Sequence, residues 1–136
     1  MPEFVPHSAS SAGVCPALGA YTFGVDGDKV ARYASVIRLK AEHYDEYVRL
    51  HADVWPAVLE RIRESGIVNY SIFFRDGFLF SYFEYTGDDY AADMAAMTAD
   101  DATRHWWELT DPCQQPVESA AEGEWWAPMT ELFHTD

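Results

Sequence analysis

Three features of the sequence predict an α+β domain with the order β-α-β-β-α-β: strict alternation over residues 32–39, a helical stripe opening at Tyr44, and two β-rich runs parted by Asp76-Gly77. Strand side chains repeat every second residue and helical ones about every 3.6, so a change of period marks a change of element. Residues 32–39 place Tyr33, Ser35, Ile37 and Leu39 on one face and Ala34, Val36 and Arg38 on the other, which predicts the first strand. Tyr44, Val48, His51, Trp55, Val58 and Ile62 then recur at steps of four and three, the stripe of a helix lying on a sheet, with Gly66 as its stop. Pro56 has no N–H to donate, so this helix must kink or restart there.

Asp76-Gly77 is a strong two-residue hairpin signal, and it pairs residues 67–75 with 78–85. The expected faces are Tyr70, Ile72, Phe74, Phe78, Phe80 and Tyr82 on one side, and Phe73, Leu79, Phe83 and Tyr85 on the other. Asp88-Asp89 and Asp100-Asp101 offer N-caps for helical segments at YAADMAAM and ATRHWWEL, which Pro112 ends. MTELFH is expected to supply a last short strand. This is the ferredoxin-like split βαβ order, an antiparallel sheet with its helices on one face. The other face would expose a large apolar patch, so a homodimer packed sheet to sheet is expected.

At 136 residues the chain suits one domain. Residues 1–30, rich in Ser, Ala, Gly and Pro, read as a mobile extension without the basic and apolar regions of a signal peptide, and residues 31–136 as the folded domain. The net charge of −14, with nine Lys and Arg in all, argues against nucleic acid and anionic membranes as partners and leaves neutral substrates unrepelled. No apolar run approaches the roughly 20 residues that span a bilayer. Cys15 and Cys113 have neither CxxC nor CxxH spacing, which points to a reducing cytoplasmic setting without a disulfide framework. His43 and His51 are two helical turns apart, and neither HExxH nor a glycine-rich phosphate loop occurs, so no metal or cofactor is expected.

The chemistry concentrates in Y-x-x-x-H. Tyr47 and His51 are four residues apart and emerge from one side of a helix, within reach of one small molecule. Imidazole titrates near neutrality, and a phenol donates or accepts a hydrogen bond without carrying charge, so the pair suits proton transfer on a polyol. A packed core histidine beside a packed tyrosine accounts for the spacing equally well. Trp106 and Trp107 point about 100° apart on a helix, so one can pack while the other lines a cavity. Trp125-Trp126 reads as packing or rim.

Taken together, YVRLH (47–51), VWP (54–56), NYSIF (69–73), LFSYFEY (79–85), HWW (105–107) and ELFH (131–134) resemble the L-rhamnose mutarotase family, in the right order from residue 32 onward. The resemblance implies a dimeric α/β barrel of ferredoxin-like subunits and a cofactor-free isomerase of the aldose 1-epimerase type. The implied substrate is a 6-deoxyhexose, L-rhamnose foremost and L-fucose second. It also implies that His51 is the proton donor, that Tyr47 contacts the sugar, and that Tyr70, Trp106 and Trp107 bind substrate. The extension, His105 where arginine is expected, and the tail PCQQPVESAAEGEWWAPM depart from the pattern, and these departures bear on the sugar more than on the reaction. Two other readings share the scaffold: a cofactor-independent or haem-degrading monooxygenase, and a sugar-binding module without catalysis.

Overall fold

The computed structural model describes residues 30–136, so the extension expected over 1–30 lies, but for Val30, outside the described residues. Its main strands are β1 (Ala31–Leu39), β2 (Ile67–Arg75) and β3 (Phe78–Tyr85), and its helices are α1 (Tyr44–His51), α2 (Pro56–Glu64), α3 (Tyr90–Ala99) and α4 (Asp101–Thr110). Two short strands, β4 (Gln114–Gln115) and β5 (Ala127–Pro128), both pair antiparallel with β1. The sheet order β2-β3-β1-β4 is that of the split βαβ arrangement, with β1 and β3 at its centre.

Local chemistry explains the borders. Asp76 and Gly77 take φ of 54° and 86°, the left-handed pair a tight type I′ hairpin needs. Asp89 accepts a hydrogen bond from the Ala92 amide at 3.1 Å, and Asp100 accepts from the Thr103 amide at 2.9 Å, so each caps its helix. Pro56 opens α2 as its first residue, where the missing N–H costs nothing. The expected long helix is therefore two helices, separated by residues 52–55.

Three expectations need correction. Tyr44 and Val48, placed on the buried stripe, are 40% and 49% exposed, whereas Tyr47 faces the sheet at 4%. The break before Pro56 frees α1 to rotate independently of α2, and Tyr44 rests instead on Phe74, ring centroids 4.9 Å apart. The hairpin faces are also redistributed. A two-residue turn sets Arg75 opposite Phe78 and Phe74 opposite Leu79, so Phe74 and Ile72 share a face with Leu79 and Ser81 rather than with Phe78 and Phe80. MTELFH, lastly, forms no strand: Pro116 interrupts pairing after β4, β5 resumes it at Ala127, and a hydrogen bond from the Met129 amide to the Ala34 carbonyl and an ion pair between Glu131 and Arg32 at 2.9 Å tether the tail.

A bulge in β2 completes the register. Asn69 adopts φ 51°, and the pairing shifts between Val68 and Ser71, so Ile67 comes to lie opposite Tyr85. Under the helices sit two buried clusters. One joins Tyr33, Ile67, Tyr85, Tyr90 and Met94, and the other joins Ile37, Leu39, Tyr47, Leu79 and Cys113. The outer face carries Ala34, Val36, Phe78, Phe80 and Tyr82 in register, with the Arg38 guanidinium 4.8 Å above the Phe78 ring.

Candidate active site

Between the two clusters, under the helices, lies a cavity of about 710 Å³, within the range of small-molecule sites. Its walls are mainly apolar, and its polar groups come from separate elements; they include Tyr47 and His51 from α1, Tyr70 from the β2 bulge, and Asp111 and Gln114 from the chain after α4. All five site residues singled out in the sequence, Tyr47, His51, Tyr70, Trp106 and Trp107, line this one space.

Helix α1 presents Tyr47 and His51 one turn apart, with ring centroids 4.3 Å apart. His51 Nδ1 lies 2.9 Å from the backbone carbonyl of Tyr47. A carbonyl only accepts, so Nδ1 carries the proton and Nε2 of the neutral ring holds a lone pair. Burial lowers the His51 pKa below its ordinary value, only partly opposed by that hydrogen bond, so the ring is neutral at neutral pH. Trp106, 6% exposed, meets the His51 ring edge-on at 5.4 Å and the Trp55 ring at 5.2 Å, which packs the imidazole against buried indole.

Tyr47 is buried, and its hydroxyl oxygen accepts a hydrogen bond from Gln114 Nε2 at 3.1 Å. Loss of water raises its pKa well above the usual phenol range, and the nearby Tyr70 and Asp111 push the same way, so Tyr47 remains a neutral phenol. Tyr70 as a whole residue is 42% exposed, desolvation nonetheless raises its phenol pKa, and its ring stands edge-on to Phe83 at 5.5 Å.

Sequence reasoning missed Gln114 and Asp111, and read Trp125-Trp126 as packing or rim. Trp126 lines the cavity, and Trp125 Nε1 donates to Gln114 Oε1 at 2.9 Å. A second indole pair near the chain end was the one available hint; nothing local marks Gln114. Away from the cavity, His43, Glu46 and Cys113 bring donor atoms within 4.8 Å of one another, and burial pushes the Cys113 thiol up to about 11. His105 lies exposed on α4.

The family model described as L-rhamnose mutarotase matches residues 32–135. The chain belongs to the L-rhamnose mutarotase family. Its curated relatives include the L-rhamnose mutarotase of Lactiplantibacillus plantarum, 29% identical over 79% of this chain and 100% of the relative, and that of Burkholderia orbicola, 34% identical over 63% and 88% respectively. Among solved structures, the L-rhamnose mutarotase of Formosa agariphila superposes with a TM-score of 0.60 at 20% identity, covering 77% of this chain and 98% of that one. A NIPSNAP family protein from Agrobacterium tumefaciens reaches 0.53 at 12% identity over 74% and 96%. At such identities both structures speak for the fold alone, the antiparallel α+β sheet with helices on one face. The family is one of anomer-interconverting isomerases, and the Y-x-x-x-H helix and the HWW helix lie within the matched residues. No helix among the described residues is long and apolar enough to cross a membrane.

Proposed function

We propose that the protein is a mutarotase that interconverts the α and β anomers of a 6-deoxyhexose, L-rhamnose first and L-fucose second. The observation that carries this reading is the pinned imidazole: His51, neutral and fixed through Nδ1, presents Nε2 in a cavity shared with two neutral phenols and the tryptophan pair.

Ring opening removes the proton from the anomeric hydroxyl O1, makes the C1–O1 double bond, breaks C1–O5 and leaves O5 to be protonated. O1 and O5 are both bonded to C1, so one nitrogen reaches both. His51 Nε2 takes the O1 proton and, as imidazolium, returns it to O5 as general acid; the aldehyde turns about C1–C2 and the steps reverse on its other face. General acid–base help of this kind supplies about 10²–10⁴-fold, enough for a reaction that water already performs slowly. Tyr47 and Tyr70 orient hydroxyls, and Trp106 or Trp107 holds the ring and its C6 methyl through the apolar indole face.

The apolar outer face of the sheet supports a homodimer, a second copy covering Val36, Phe78 and Phe80. A cytoplasmic setting and independence of metal and cofactor belong to the same reading. Saturation-transfer NMR on L-rhamnose and L-fucose at anomeric equilibrium tests it. Faster exchange of one sugar with protein present is expected; no acceleration of either by the folded protein would refute it, and a monomer in sedimentation would remove the dimer.

A further inference from the structure

Tyr47 can meet a sugar oxygen as donor or as acceptor, and the mechanism differs accordingly. The buried amide of Gln114, 5% exposed, touches it on one side and the Trp125 indole on the other. An indole N–H can only donate, so the oxygen of the Gln114 amide faces Trp125 and its NH₂ faces Tyr47. That NH₂ occupies a lone pair of the phenol oxygen and has no capacity to accept the phenol's proton. Were the amide reversed, its carbonyl would draw that proton away from the cavity; the indole prevents the reversal. The backbone under Gln114 is held as well, since β4 pairs it with Leu39 of β1.

We propose that Gln114, locked by Trp125, is a positioning residue that makes Tyr47 an obligate hydrogen-bond donor toward the sugar. The inference rests on the mutarotase reading and extends it. As C1–O5 breaks, negative charge gathers on O5, and a phenol oriented as donor stabilises that charge until the His51 imidazolium delivers its proton. Tyr47 itself surrenders no proton, in keeping with its raised pKa. The chain Trp125, Gln114, Tyr47 is thus polarised in one direction, from indole to substrate.

A double-mutant cycle on anomer exchange tests this, with Tyr47→Phe, Gln114→Met and the pair together. Gln114→Met alone is expected to lower kcat about tenfold, the value of one hydrogen bond, with KM little changed. In the Tyr47→Phe background the same change is expected to cost less than about twofold, because no phenol remains to orient. Equal losses in both backgrounds would overturn the relay. If Gln114→Met does not fold, the nearly isosteric Gln114→Glu replaces it: its carboxylate accepts from the indole and attracts the Tyr47 proton, so kcat should fall by at least as much, and an unchanged kcat would overturn the relay. A wild type that accelerates no exchange would overturn the functional reading and the relay with it, whereas an active wild type with an additive cycle overturns the relay alone.

Discussion

Two buried tyrosines at opposite ends of the helix-covered sheet face invite comparison. Tyr85 and Tyr47 are 5% and 4% exposed, and desolvation raises both phenol pKa values far above the ordinary range. Tyr85 spends its hydrogen bonds inside the fold: it donates to Asp93 and accepts from the Asp89 amide at 3.0 Å, which ties β3 to the start of α3. Tyr47 accepts from Gln114 and lines the cavity. Burial and a perturbed pKa therefore do not separate a structural tyrosine from one proposed to meet substrate; the hydrogen-bond partners around each hydroxyl differ.

The largest expected effect sharpens the functional end. His51→Ala should lower kcat by about 10²–10⁴-fold while leaving a folded protein, because it removes the imidazole proposed to take and return the proton. Exchange rates read against circular dichroism check this. The pH profile tests the same residue. The fold holds the His51 pKa below its ordinary 6.5, so the neutral, active ring persists down to pH 6.5 and below. Activity should then fall about tenfold per pH unit once the lowered pKa is passed. Stability follows the same sign: the unfolded chain takes up this proton first, so the contribution present above pH 6.5 is lost as pH falls through the folded pKa. An acidic limb lying above 6.5 would contradict the neutral resting state.

A swap of the two phenols is the direct attack on the comparison. Tyr85→Phe should cost about 1–3 kcal/mol in urea unfolding, since it strips a hydrogen bond from a carboxylate, and should leave kcat near wild type. Tyr47→Phe should do the opposite, lowering kcat about tenfold with a smaller loss of stability. Equal stability losses with equal kcat would erase the distinction. The smallest effect concerns the scaffold: Asp100→Ala removes the α4 cap and should cost about 1 kcal/mol, seen as a lower urea midpoint without a change in kcat.

Much of this was legible in the sequence wherever neighbours along the chain decide geometry. The hairpin at Asp76-Gly77, the caps at Asp89 and Asp100 and the one-turn spacing of Tyr47 and His51 all depend on residues within a few positions of one another. The motifs pointing to Tyr70, Trp106 and Trp107 also led to the cavity wall. Stripe and face assignments went astray where a local rule needed a tertiary input. Periodicity says that α1 is amphipathic, but after the break at 52–55 only packing on the sheet selects Tyr47 over Tyr44 as the buried side. Alternation says that β2 and β3 each have two faces, but the turn register joins Phe74 to Leu79, and the bulge at Asn69 lets Ile67 face the same side.

By itself, then, the sequence determined the order of elements, their caps and turns, and the pairing of phenol and imidazole on one helix, because those follow from short-range sterics and hydrogen bonds. Tertiary structure alone decided what surrounds that pair. Gln114 lies 67 positions from the tyrosine it touches, and Trp125 a further 11 from Gln114. No period or propensity reaches across such separations. They meet because β4 closes on the edge of β1 and the chain after it folds back over the cavity, which brings a lone pair, an amide and an indole into one polarised line.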